Sequence, residues 1–281
     1  MTGGSFDDLR AFLKGTAGLD LGAEKSYLVE SRLGHVWREA GLSGPDELVR
    51  LARSGREPDL ARRVVDAMMT GETMFFRDRP VFDALRREIL PALLAARAAT
   101  RRLRIWSAAA STGQEAYSVA MLLDDMAVSL SGWSVEIVGT DISGTAIDRA
   151  AAGVYSQFEV QRGLPIRFLM RHFREAPGGW RVASATRAAV RFERFNLLGD
   201  PSRLGRFDLI LCRNVLIYLD GPTKGAVLDR LAGTLAPDGF LCLGTAESST
   251  GLSERLAPHG TERNFFRPVG PASYRPTSAV A

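Results

Sequence analysis

Cysteine is nearly absent from this 281-residue chain: Cys212 and Cys242 are the two, and neither has a CxxC partner. That excludes a disulfide framework and a thiolate metal site. Each thiol sits in an apolar run, LILCRN and GFLCLG, and is expected as a small core residue of a buried strand. Histidine is almost as scarce, and His35, His172 and His259 show no ligand spacing, so no metal is expected. Lysine occurs three times, which leaves the positive charge to arginine. No run of eighteen apolar residues exists, which excludes a membrane-spanning helix. The opening MTGGSFDD lacks the basic and apolar regions of a secretory signal, which predicts a cytoplasmic protein.

What is present is the composition of a globular chain, 46% hydrophobic and 24% charged, with length enough for two domains. The net charge of +4 does not announce a nucleic-acid partner. Its distribution is uneven: residues 1–100 balance fifteen basic against fifteen acidic side chains, whereas residues 157–206 hold ten arginines against four acids. That local excess suggests an acidic partner, with a solvated arginine-rich surface as the alternative.

Residues 1–78 read as a helical domain. Ser5 with Asp8 resembles a capping box ahead of Phe6, Leu9 and Leu13 on one face. A second helix is expected over 24–40, and Pro45 and Pro58 open two more. A connecting helix follows over 79–98, with a kink at Pro91. From residue 99 to 270 the pattern becomes alternating strands and helices: LRIWSAA, SVEIVGTD, FDLILC and FLCLG are strands, helices span 114–130 and 222–235, APDG is a loop, and NFFRP is an edge strand. This predicts an α/β fold, a doubly wound and mostly parallel Rossmann-like sheet. Residues 152–195 interrupt it as an inserted small antiparallel β subdomain, with WRVAS and AVRFERF as candidate strands. The polar tail over 271–281 is expected to be disordered.

In such a sheet, ligands bind at the carboxyl ends of the strands. The loop Ala109-Ala110-Ser111-Thr112-Gly113-Gln114-Glu115 is small and polar but has only one glycine, too few for the close approach a dinucleotide pyrophosphate demands. Asp141 ends the second strand, where a carboxylate can accept from both hydroxyls of a ribose, a helix cap being its alternative role. Small loop and strand-end acid together point to a nucleoside without a phosphate, and so to S-adenosylmethionine. Its positive sulfonium suits nearby acids such as Glu115.

The string Trp106 to Ser118 (WSAAASTGQEAYS) closely resembles the nucleotide loop of the chemotaxis receptor methyltransferases, the CheR family. So do Thr73-Met74-Phe75-Phe76-Arg77-Asp78, Asn196-Leu197-Leu198, and the stretch from Phe207-Asp208 to Cys212-Arg213-Asn214-Val215-Leu216-Ile217-Tyr218. The match runs in order from about residue 6 to 267. It implies a protein-glutamate O-methyltransferase that uses S-adenosylmethionine to esterify receptor glutamates in chemotaxis signal transduction, yielding S-adenosylhomocysteine.

By that resemblance Thr73 and Arg77 close over the cofactor, Glu115 holds the methionine amino group, and Asp141 the ribose. Asn196 and Leu197 contact the adenine, while Arg213, Asn214 and Tyr218 line the floor beside the methyl group. Arg77 and Tyr218 are the expected catalytic residues. Gly71 departs from the family's common Asn and is left out of the site; Gln114-Glu115-Ala116 stands where Glu-Glu-Pro is usual. Surface salt bridges for the arginines and core packing for Tyr218 are the structural alternatives.

The resemblance also implies that a basic helix in the amino-terminal domain, here 24–40 with Lys25 and Arg32, reads the receptor's methylation helix. Six residues, 174–179, form a short turn in the insertion, and on that ground no receptor carboxyl-terminal pentapeptide tether is expected. The protein is read as a monomer, with no nucleic-acid partner. The rivals are a methyltransferase of RNA, opposed by the lack of an Asn/Asp-Pro-Pro-Tyr/Phe motif after the third strand, and a non-catalytic sensor of the same cofactor.

Overall fold

The computed structural model describes residues 1–126, 130–260 and 262–270. Four helices open the chain: α1 (Gly3–Ala17), α2 (Tyr27–Glu39), α3 (Pro45–Arg53) and α4 (Pro58–Met68). Their apolar stripes close a core of their own that includes Leu9, Leu13, Leu33, Leu48 and Val64. Thr2 caps α1 and accepts from the Ser5 N–H, so the cap lies three residues before the Ser5 box. The helix expected over 24–40 begins as a tight turn at Ala23–Ser26 before α2 takes over.

The connecting helix is α5 (Arg79–Ala84) and α6 (Leu90–Ala96), joined by one π turn, Leu85–Ile89. Pro91 has no N–H to give to the preceding turn. The widened turn just before it, where the Leu90 N–H reaches the Leu85 carbonyl, is how the helix accommodates the proline. Arg97 then fastens the helix end to the sheet, donating to Asp208 and Asp238 at 2.7 Å each.

The main sheet contains β1 (Arg102–Ala108), β2 (Ser134–Asp141), β6 (Val190–Arg194), β7 (Phe207–Cys212), β8 (Leu235–Leu243), β9 (Leu256–His259) and β10 (Glu262–Pro268). Their order is β6-β2-β1-β7-β8-β10-β9, parallel up to β8 and antiparallel beyond it. Helices cover both faces, as a parallel sheet requires: α7 (Gln114–Asp125) and the connecting helix on one, α11 (Gly221–Thr234) on the other. Every residue of β7 is buried, the mark of a central strand.

Four expectations are corrected. AVRFERF is β6, an edge strand of the main sheet, and not part of the insertion. NFFRP, in β10, is the second strand from the other edge, because Leu256–His259 covers it. The APDG segment lies within β8, beside an irregularity in its pairing with β7. The α7 helix ends at Asp125, short of residue 130, and residues 127–129 lie outside the described residues, as does the 271–281 tail.

A second sheet of β3 (Val154–Tyr155), β5 (Gly179–Val182) and β4 (Phe173–Ala176) is antiparallel, with β5 in the middle. With the short helices α9 (Gln157–Gln161) and α10 (Ile166–His172) it forms the inserted subdomain. The turn joining β4 to β5 is Pro177-Gly178 alone, tighter than the six-residue turn expected. Gly179, at φ 134°, closes it, since a Cβ there would collide with the Tyr155 carbonyl.

Candidate functional site

The chain leaves β1 toward β2 on one side and β7 toward β8 on the other, so the carboxyl ends of β1 and β7 open a crevice at the switch in strand order. A cavity of about 380 Å³ fills it. Thr73, Arg77, Glu115 and Asp141 all line this cavity, as do Asn196, Leu197, Arg213, Asn214 and Tyr218. The helical domain supplies the remaining wall through Ala17, Leu19, Asp66 and Met69. Gly71, left out at the sequence level, lines it too; its carbonyl accepts from Ser111 Oγ at 2.8 Å.

The loops are held in strained shapes. Six non-glycine residues among those described have a left-handed backbone; Ala109, Ser111, Asn214, Phe76 and Asp78 are five of them, all in the segments that frame the cavity. Each such residue costs on the order of 1 kcal/mol or more, a cost that persists where the surroundings enforce the conformation. In the loop after β1, that geometry directs the Ser111 N–H to Asp141 Oδ2 at 2.8 Å.

Asp141 also accepts from the Ser143 N–H at 2.9 Å. Ser143, not Asp141, caps α8 (Gly144–Ala152), so the cap alternative is removed for the acid. Burial pushes the Asp141 carboxyl above its ordinary range, while the backbone bonds from Ser143 and Ser111 pull the other way. Asp66 of α4 also raises it, a second carboxylate on the same cavity.

Glu115 is buried in the first turn of α7. It accepts from Ser107 Oγ at 2.7 Å and from Arg213 Nη1 at 2.9 Å. The side chain of Arg213 is only 1% exposed, and its Nη2 donates to Asp78 at 2.7 Å and to the Arg77 carbonyl at 2.8 Å. Burial works against that charge, but Glu115 and Asp78 more than restore it and the pKa lies above the ordinary value. Arg213 therefore ties the β7 loop, α7 and the linker together. With both terminal nitrogens bonded inside the protein, it has no fork to offer an incoming carboxylate.

Arg77 differs. Its guanidinium gives one bond, to the Glu72 carbonyl at 2.8 Å, and keeps its other donors for the cavity. The Tyr218 hydroxyl takes no protein partner among the described residues, and its ring packs against the helical core. Asn196 donates to the Thr16 carbonyl of the helical domain at 2.7 Å and accepts from the Leu198 N–H of its own loop at 3.0 Å, so its amide is partly committed in the resting protein. Arg32 is likewise occupied, donating to the Met68 carbonyl and to Thr70 Oγ1 just before the roof of the cavity.

The sequence reading missed Glu247. Its carboxylate accepts from the backbone of Gly244, Asn214 and Ile217. The signal was available: Glu247 follows the carboxyl end of β8, the same class of loop that pointed to the other residues.

The CheR methyltransferase all-alpha domain matches residues 4–69, and the CheR methyltransferase SAM binding domain matches residues 71–264. The chain belongs to the CheR methyltransferase family. Its relatives include chemotaxis protein methyltransferase 1 of Pseudomonas aeruginosa, 42% identical over 253 residues that cover 89% of this chain and 92% of that one. Chemotaxis protein methyltransferase Cher2 of Pseudomonas putida is 40% identical over 253 residues, with the same coverage of both chains. Chemotaxis protein methyltransferase 1 of Vibrio cholerae is 40% identical over 254 residues, covering 89% of this chain and 91% of that one.

The CheR-family cavity fits S-adenosylmethionine. Ile142, Leu197 and Val215 give apolar walls, Asp141 presents a carboxylate, and the lining acids Asp66, Glu72, Glu115 and Asp141 outnumber the arginines Arg77, Arg149 and Arg213, which suits a positive sulfonium. The family boundary between residues 69 and 71 falls at the start of the cavity's roof, earlier than the expected domain edge at 78. Among the described residues no helix is long and apolar enough to cross a membrane.

Proposed function

We propose that this CheR-family chain is a protein-glutamate O-methyltransferase acting on the cytoplasmic methylation helices of chemotaxis receptors. The observation that supports it best is the cavity at the switch point, which gathers Asp141, Glu115, Arg77 and Tyr218 around a space sized for one nucleoside ligand.

S-adenosylmethionine, when bound, supplies an electrophilic methyl group on a positive sulfur. Asp141 takes the ribose hydroxyls, Glu115 the amino group of the methionine part, and Asn196 with Leu197 the adenine. Thr73 closes the roof, and Arg213 and Asn214 form the floor. The acceptor glutamate is already ionised near neutral pH, so no general base is needed. What the protein supplies is desolvation and alignment. Arg77, whose guanidinium gives a single bond within the protein, orients the acceptor carboxylate, and the Tyr218 hydroxyl fixes it against the methyl group. The bond from carboxylate oxygen to methyl carbon forms as the sulfur–carbon bond breaks, and the electron pair stays on sulfur in S-adenosylhomocysteine.

Labelled methyl donor incubated with the chain and a receptor cytoplasmic domain tests this. Label released by alkali as methanol supports a glutamate ester; protein-bound label stable to alkali overturns it.

The inserted subdomain meets the receptor without a tether peptide in this reading. β5, the middle strand of its sheet, is flanked on both sides, and the free edges are the two-residue β3 and the four-residue β4. The basic excess is also more spent than the composition suggests: Arg162, Arg167, Arg171, Arg191 and Arg203 pair with acids of this chain. That favours neither RNA nor a strongly acidic partner at this segment. The protein is taken to act in the cytoplasm as a monomer.

A further inference from the structure

β8 ends at Leu243, and the chain turns back through Gly244 to Glu247, whose N–H donates to the Gly244 carbonyl at 3.0 Å. The Glu247 carboxylate then gathers three backbone donors: Gly244 at 2.7 Å and Asn214 at 2.8 Å on Oε2, and Ile217 at 3.3 Å on Oε1. Two of the three belong to the loop after β7, which carries Asn214 and Tyr218 to the cavity. Hydrogen bonds to a carboxylate are stronger than neutral ones, and here they hold Asn214 at φ 59°, a left-handed backbone that asparagine accepts more readily than most residues.

Gly244 is what admits the carboxylate. A Cβ there would stand 2.6 Å from Glu247 Oε2 and 2.9 Å from both nitrogens of Asn214. Glu247 does not itself line the cavity, so whatever it does for chemistry passes through the loop it holds.

We propose that Glu247, with Gly244 as its required companion, is a positioning residue for methyl transfer: it sets the loop that places Asn214 and Tyr218 on the floor of the cavity. This rests on the methyltransferase reading above. An anchor of this kind affects turnover in one characteristic way. Displacing a group by about 1 Å costs up to roughly a hundredfold in rate, while the nucleoside contacts at Asp141 remain.

The experiment compares Glu247→Ala, Glu247→Gln and Gly244→Ala with the unmodified protein for kcat, KM, S-adenosylhomocysteine affinity and melting temperature. Glu247→Ala is expected to lower kcat by roughly tenfold to a hundredfold, with affinity for the product within about twofold. Glu247→Gln keeps one accepting oxygen and is expected to recover part of the loss. Gly244→Ala, with the carboxylate intact, is expected to lose kcat in the same way.

A double-mutant cycle with Tyr218→Phe separates positioning from simple stability: the tyrosine change should cost much less once Glu247 is gone. Unchanged kcat in Glu247→Ala, or strictly additive losses with Tyr218→Phe, overturns the proposal while leaving the methyltransferase reading in place. Should Glu247→Ala fail to fold, the same two outcomes in Glu247→Gln and Gly244→Ala decide. Absence of any transfer by the unmodified protein removes both.

Discussion

Asp141 and Arg77 stand at opposite ends of what a side chain can contribute here. Asp141 is built into the resting protein through two backbone bonds, which suits the binding role proposed for it. Asp141→Ala should weaken S-adenosylmethionine and S-adenosylhomocysteine by about 1–3 kcal/mol, measured by calorimetry; unchanged affinity would take Asp141 out of the site. Its raised pKa adds a pH signature. The ionised form accepts the ribose donors, so affinity should decline as pH falls, and the decline should begin above the ordinary carboxylate range. Arg77 and Tyr218 are less committed in the resting protein. Arg77→Ala and Tyr218→Phe should therefore lower turnover more than cofactor affinity, and equal losses in both assays would make them binding residues. Cys212 and Cys242 are buried and burial pushes both thiols up, so neither should react with iodoacetamide until the protein unfolds.

The β7 strand, the loop after β1 and the strand-end acid were readable because each is local: a mostly apolar run, a run of small residues, an acid at the end of a short strand. Misreadings arose where pairing over long range decides. β6 looks like any short strand, and only its parallel register against β2 puts it in the main sheet. The same holds for side chains. The sequence shows that Arg213 is present, but not that Glu115 and Asp78, 98 and 135 residues away, take up its donors. Arg32 is a similar case, and it changes what a substitution in α2 should do. Arg32→Ala frees Met68 and Thr70 at the edge of the roof, so calorimetry should report weaker S-adenosylhomocysteine binding; a loss confined to receptor KM would restore α2 to a purely recognising role. In the inserted subdomain the two-residue turn leaves only short strand edges, and a receptor carboxyl-terminal pentapeptide titrated against the protein should show no saturable low-micromolar binding.

The helical domain and the sheet meet across the cavity through a set of direct bonds: Asn196 to Thr16, Lys14 to Asp220, and the Asp20 N–H to the Tyr218 carbonyl at 2.8 Å. Leu19 and Leu219 add a strand-like bridge, and Gly18 permits it, since its Cβ position lies 3.0 Å from the Leu219 side chain. A ligand held between the domains stabilises both, by about 2.7 kcal/mol at a hundred times its dissociation constant. Scanning calorimetry should then show the saturated protein melting in one transition, at a higher temperature than the empty one. The shared wall also limits how the chain can be shortened. Cutting at Thr70 would keep every strand of the main sheet but strip Ala17, Leu19, Asp66 and Met69 from the cavity, and it would bare Ile142 and Tyr218, which now rest on the helical core. The fragment that looks like the whole catalytic machine would be half a socket with an oily rim, prone to associate with itself and unable to hold its cofactor.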